Sequence, residues 1–133
     1  MTPGDAAART DRVWHRALGW RPASELPGDV AAHVALEFHG LVMNGGVLNA
    51  VEDREDAHLA SVVAAYRWLR LAGVADLVDE VRRAVAEGRT EVPAQAEALE
   101  VDADRRHDEH LPDDSALEAA LHRRVVDSPE AFS

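Results

Sequence analysis

The chain contains no cysteine, no lysine and no isoleucine, and only six of its 133 residues are aromatic. The lack of cysteine excludes disulfide bonds, thiolate nucleophiles and cysteine-ligated metals. No apolar run reaches the ~20 residues that a membrane-spanning helix needs. The first residues also lack the basic and apolar regions of a secretory signal. We therefore expect a soluble cytoplasmic protein with no membrane partner.

Small apolar residues dominate what is present, with 25 alanines, 16 valines and 13 leucines. Alanine and charged residues favour helix, and a core of small side chains requires helices that pack closely. The chain is long enough for one domain with its own core. We expect a single domain over residues 1–133, in which residues 1–28 form a first helix and loop.

Apolar side chains recur at three- and four-residue spacing, and no segment alternates in the manner of a strand. The pattern predicts an all-α domain of six or seven helices. The first runs from about Asp5 to Leu18 with Leu18 facing inward, and Asp29 caps the second. A later helix ends at Gly73, and another runs from Ala94 to about His110.

Acidic residues outnumber basic ones by 25 to 14, which gives a formal charge of −11. The excess is uneven, because residues 91–133 carry 12 acids against 4 arginines, a balance of −8. This charge argues against direct nucleic-acid binding and favours a basic protein partner.

The segment Asn44-Gly45-Gly46 interrupts an apolar helical stretch and suits a tight junction between two helices. Together with Val47 and the ending Ser128-Pro129-Glu130-Ala131-Phe132, it resembles the DNA-mimic-protein-nineteen-like family, a bacterial all-α family of mostly unknown function. The resemblance spans about residues 30–132, within a family-like region over 29–133. Asn49 stands where the family usually has glutamine. We expect a structural role for the triplet.

The resemblance implies a homodimer whose acidic surface imitates the phosphates of duplex DNA and occupies a DNA-binding regulator. On a helix over residues 94–110, four acids fall within an arc of roughly 80° and span about 16 Å. They are Glu97, Glu100, Asp104 and Asp108, and the row is extended by Glu109, Asp113 and Asp114. We expect these seven side chains to face outward and bind the partner.

Histidines and tryptophans offer weaker alternatives. His33 and Glu37 lie four residues apart, and we expect them to form a structural pair. Asp104, His107 and His110 could begin a metal site, but their spacing matches no recognised metal motif. Trp14, Trp20 and Trp68 are expected to pack against the core.

The leading hypothesis is a non-enzymatic DNA mimic with no catalytic residues, no metal and no cofactor. An immunity protein or antitoxin against a basic toxin requires a similar acidic face. A metal-dependent hydrolase that uses the histidines is the third hypothesis.

Overall fold

The computed structural model describes all residues from 1 to 133 and contains seven α-helices, one short 3₁₀ helix and no strand. The predicted all-α single domain is confirmed. The helices are α1 (Pro3–Ala17), α2 (Pro27–Gly45), α3 (Val47–Glu52), α4 (Asp56–Trp68), α5 (Ala72–Ala86), α6 (Pro93–His110) and α7 (Asp114–Asp127), followed by the 3₁₀ helix Pro129–Ala131.

Local sequence explains where several helices begin. Proline occupies the first position of α1, α2 and α6, where its missing N–H has no helical partner to lose. Thr2 and Asp5 form a capping box at α1, and the carboxylate of Asp113 accepts from the Ala116 N–H at α7.

The core is centred on α4, which packs against α2 on one side and α5 on the other, while α1 and α7 pack together beside α2, and α3 and α6 pack on α5. The apolar stripe along α4 is buried throughout; it comprises Leu59, Val62, Val63, Tyr66 and Leu69. Ala32 and Ala35 on α2 have no exposed surface, so the neighbouring helices approach closely there. None of the helices has both the length and the apolar character needed to cross a membrane.

One predicted orientation and one predicted helix end are wrong. α1 ends at Ala17 with Leu18 as its C-cap, close to the expected end, but Leu18 is 61% exposed instead of facing inward. Gly73 does not end a helix, because α4 stops at Trp68 and Gly73 lies in the first turn of α5.

The prediction that Asp29 caps α2 is also wrong. The N-cap of α2 is Leu26, and Asp29 lies buried within the first turn of the helix. Its carboxylate accepts from the Ser24 hydroxyl at 2.5 Å and from the Ser133 N–H at 2.9 Å. Burial raises the pKa of Asp29, but the hydrogen bonds from Ser133 and Ser24 outweigh it and hold the pKa below its usual value. Asp29 therefore stays charged and ties α2 to the last residue.

Residues 129–133 fold back against α1 and α2. Arg9 donates to the carbonyls of Pro129 at 2.7 Å and Phe132 at 3.1 Å, and Arg16 donates to Ser133. The approach to α2 is so close that a Cβ at Gly28 would stand 2.6 Å from the Ala131 carbonyl oxygen. The absence of a side chain at Gly28 is what allows this contact.

Candidate partner-binding face

α6 carries most of the predicted binding residues and is the helix least buried by its neighbours. It packs on α3 and α5 through Ala103 and His107, which are buried, and through Leu99, which is half-buried. Its end is set by Pro112, which cannot continue a helix. Most of the remaining α6 side chains face solvent.

Three acids on this helix are exposed and carry no ion pair: Glu97, Glu100 and Asp108. The two arginines of α6 pair elsewhere, Arg105 with Asp102 and Glu109, and Arg106 with Glu80 and Asp102. By helical geometry the three free acids fall within an arc of roughly 80° and span about 16 Å. They are the uncompensated part of the predicted row.

The expectation that Asp104 faces outward with these acids is wrong. Asp104 is half-buried, and its Oδ1 accepts from the Val47 N–H at 2.9 Å across the α3–α6 contact. Helical spacing places Asp104 beside the free acids, but the start of α3 lies against it. Its carboxylate therefore caps the amino end of α3, where the helix dipole favours a negative charge.

The Asn44-Gly45-Gly46 triplet forms the junction that Asp104 caps. Asn44 and Gly45 complete α2, and the chain turns at Gly46, whose φ of +89° and ψ of 168° are accessible to glycine alone. A Cβ at Gly46 would also stand 3.0 Å from Asp104 Oδ2. The structure thus gives Gly46 a defined role in joining α2, α3 and α6.

Glu109 is exposed, but Arg105 Nη1 lies 2.8 Å from its Oε1, and Arg105 also bonds Asp102 at 2.8 Å. Its charge is largely compensated within the helix. A partner that uses Glu109 would first have to displace this arginine.

The two acids at the start of α7 remain at the surface. The hydroxyl of Ser115 donates to Asp113 at 2.7 Å, and this bond, with that from the Ala116 N–H, holds the pKa of Asp113 below its usual value. Asp114 is 72% exposed, and its Oδ1 lies 3.0 Å from His39 Nε2. Both carboxylates therefore present negative charge beside the end of α6.

Sequence reasoning missed an apolar strip beside the free acids. Val101 is 63% exposed and lines a shallow hollow of about 520 Å³ with Ala94, Ala98 and Glu97. The spacing of Ala94, Ala98 and Val101 by four and three residues was the available signal. A face that combines such a strip with free carboxylates can supply both apolar contact and charge pairing.

The histidines form a structural cluster that spacing alone did not reveal. The rings of His39 on α2 and His107 on α6 stack at 5.9 Å, and both are at least 96% buried. Burial, together with the charge of His39, lowers the pKa of His107 to about 4.

The other histidine pair is looser than expected. His33 Nε2 lies 3.8 Å from Glu37 Oε2, and the Glu37 side chain is 40% exposed and accepts from Arg54 at 3.0 Å. No group of three histidine, aspartate or glutamate side chains is placed to hold one metal ion.

Comparison with known proteins places the chain in one family. The family model described as DMP19-like protein matches residues 25–125, about three-quarters of the chain. No curated protein and no solved structure gives a significant match. The match includes the Asn44-Gly45-Gly46 junction and all of α6. The chain belongs to the DMP19-like protein family.

Proposed function

We propose that this chain is a non-enzymatic cytoplasmic interaction protein that mimics DNA and occupies the basic surface of a DNA-binding regulator. The observation that carries the proposal is the free row on α6, formed by Glu97, Glu100 and Asp108, beside the exposed carboxylates of Asp113 and Asp114. Membership of a DNA-mimic-like family is consistent with this role.

The spacing of the free carboxylates on α6 can be compared with the spacing of phosphates on a DNA strand. Three free carboxylates over about 16 Å give one charge per ~8 Å, against one phosphate per ~3.4 Å of axis on a DNA strand. Asp113 and Asp114 raise the local density past the end of α6. The array is sparser than a DNA strand, so lysines and arginines of the partner that contact every second or third phosphate would match it best.

Attraction between such surfaces acts at long range and is screened by salt. The partner's cations would be steered toward the face, and the complex would weaken as ionic strength rises. A regulator bound in this way could not hold its operator, because the same cations contact the DNA phosphates.

Nothing in the arrangement of side chains favours the metal-dependent hydrolase. The histidines lack a third convergent ligand, and the family is DNA-mimic-like and is not a known enzyme family.

A second candidate, an immunity protein or antitoxin against a basic toxin, is favoured by the exposed Val101. Apolar contact at the centre of an interface is typical of protein–protein recognition and is not needed to imitate phosphates. The two functions differ in one respect that can be measured, which is whether duplex DNA competes for the captured partner.

The experiment begins with capture of partners by the whole chain from nuclease-treated lysate at about 50 mM salt, followed by elution at about 500 mM. The captured protein is then purified and bound to the chain in the presence of duplex DNA containing its own site. Displacement by DNA supports mimicry. A captured toxin that DNA does not displace supports the second candidate and contradicts the first.

The face is tested with the triple variant Glu97→Gln, Glu100→Gln and Asp108→Asn, which removes three charges and no hydrogen bond. We expect at least a tenfold loss of affinity and a weaker dependence on salt. Unchanged binding would show that α6 is not the contact surface.

A matched control removes three exposed charges that also lack ion pairs but lie away from α6 and α7: Glu25→Gln, Glu55→Gln and Glu130→Gln. Net charge then changes by the same amount in both variants. If the control loses as much affinity as the α6 triple, the effect comes from total charge and the assigned face is wrong.

A further inference from the structure

The loop between α1 and α2 carries a tryptophan that no other part of the fold covers. Trp20 has its entire side chain in solvent, so the prediction that it packs against the core is wrong. Trp14 and Trp68 do pack there. An exposed indole presents a broad apolar face whose π electrons also attract cations, so Trp20 is suited to contact with an organic ligand.

A hollow of about 570 Å³ opens beside Trp20, and the indole forms part of its lining. The apolar part of the lining comes from Ala17 and Leu36, both of which are buried. The polar part comes from His33 and Glu37 on α2. The volume and the mixed lining are those of a site for a small molecule that is apolar at one end and polar at the other.

The polar part of the hollow offers two hydrogen-bond acceptors with no donor between them. His33 Nδ1 lies 3.0 Å from the carbonyl oxygen of Ala17, which can only accept, so Nδ1 carries the proton. Nε2 of the neutral ring therefore presents a lone pair, and it lies 3.8 Å from Glu37 Oε2, beyond hydrogen-bond distance. A nitrogen about 2.8 Å from both atoms would see them at roughly 85°, an angle that two N–H donors of one ammonium group can meet.

The charges around these acceptors favour a cation. Arg54 pairs with Glu37 Oε1 at 3.0 Å and with Asp53 at 3.1 Å, so two carboxylates share one guanidinium and the group keeps a charge of −1. Glu37 Oε2 is left without a hydrogen bond. The hollow also lies at the carboxyl end of α1, where the helix dipole is negative. Arg21 adds one exposed positive charge beside Trp20, against −11 for the whole chain.

We propose that this hollow binds a small primary amine with an apolar body. The ammonium group donates to His33 Nε2 and to Glu37 Oε2. The apolar body lies on Leu36 and against the ring of Trp20, which attracts the cation as well. The site is built from α1, α2 and their loop, so it does not depend on the proposed role of α6.

Calorimetric titration of the whole chain with 2-phenylethylamine tests the proposal. A ligand of about nine heavy atoms should bind with a dissociation constant of about 0.1–1 mM. Two analogues separate the contributions: 2-phenylethanol has no charge, and phenylethyltrimethylammonium keeps the charge but has no N–H donor. Each should bind at least about tenfold more weakly than the amine. An analogue that binds as tightly as the amine, or an amine that does not saturate the chain below about 10 mM, overturns the proposal.

Variants test whether the amine occupies this hollow. Glu37→Gln should weaken binding by at least about tenfold, and Trp20→Ala by at least about threefold. The matched control is Asp53→Asn, which removes the other carboxylate bound to Arg54 but does not line the hollow. It should change affinity by less than about twofold. Equal losses for Glu37→Gln and Asp53→Asn would show that the amine responds to total charge, which contradicts the proposal.

Magnetic resonance of nitrogen-15-labelled chain locates the amine without any substitution. The indole N–H signal of Trp20 should shift on titration while that of Trp68 stays in place, and a Trp20 signal that does not move overturns the proposal. The source of the amine follows from a second probe, Nα-acetyl-lysine methylamide. Tighter binding of 2-phenylethylamine identifies a free aromatic amine as the ligand, and tighter binding of the lysine derivative identifies a lysine side chain of a partner.

Discussion

Replacement of Asp104 separates the stability of the α2–α3–α6 junction from recognition. Asp104→Ala removes the only side chain that caps α3, because the cap residue is Gly46 and the Val47 N–H bonds to Asp104 alone. A hydrogen bond to a carboxylate at a helix start, half shielded from water, contributes about 1.5–3 kcal/mol. We expect the free energy of unfolding to fall by about 2 kcal/mol.

For a chain of this length, that loss lowers the melting temperature by roughly 5–10 °C. Urea and thermal unfolding followed by circular dichroism give both quantities. Asp108→Ala is the matched control, since Asp108 lies one turn further along α6, is exposed and forms no ion pair. The control should change stability by no more than about 0.5 kcal/mol.

Asp104→Asn sharpens the test, because the amide keeps an acceptor but loses the charge. We expect it to recover about half of the loss. If Asp104→Ala and Asp108→Ala have equal effects on stability, the capping role is wrong. The same conclusion follows if Asp104→Ala abolishes partner binding without any loss of stability.

Three further changes test other parts of the fold. In wild type, the folded pKa of His107 of about 4 lies below the unfolded value of about 6.5, so the unfolded chain binds the proton first as pH falls. Wild type should therefore lose up to about 3 kcal/mol of its free energy of unfolding between pH 6.5 and 4, and His107→Leu should abolish this loss. Urea unfolding at several pH values should show a weaker pH dependence for the variant than for wild type. Gly46→Ala should cost about 2 kcal/mol from its positive φ, whereas Gly45→Ala, whose Cβ meets only the flexible end of Asn49, should be nearly neutral by the same assay. Phe132→Ala should cost about 3–5 kcal/mol in thermal unfolding, because the ring is buried against Trp68.

Helix number and fold class were predictable because apolar spacing and proline positions are local properties. The helix from Ala94 to about His110 followed directly from them, and the structure has it as Pro93–His110. The orientation of Leu18 and the end of α4 were not predictable, because tertiary packing overrides the local preferences of Leu18 and Gly73. Leu18 lies beyond the part of α1 that α2 and α7 cover. Gly73 lacks a side chain at the point where the ring of His110 approaches α5, and this close approach explains the glycine.

The candidate site was predictable only in part. Helical periodicity placed Asp104 with Glu97, Glu100 and Asp108, but it gives no information about which element lies opposite each side chain. The bond from Val47, 57 residues away in sequence, decided the outcome for Asp104.

The same limit explains Asp29 and the His39–His107 stack. The Ser133 amide that Asp29 binds is 104 residues distant, and the two rings belong to different helices. Contacts of this kind arise from tertiary packing, which spacing within a single helix does not encode.

The closure of residues 129–133 onto α1 bears on how the domain can be trimmed. A fragment restricted to the family-matched stretch 25–125 would lack both residues 129–133 and the arginines that hold them, Arg9 and Arg16. It would also lack Val13 and Ala17, so part of the α2 surface would be uncovered. The first 24 residues are therefore part of the folded domain, and a fragment without them should expose apolar surface, aggregate and be poorly ordered.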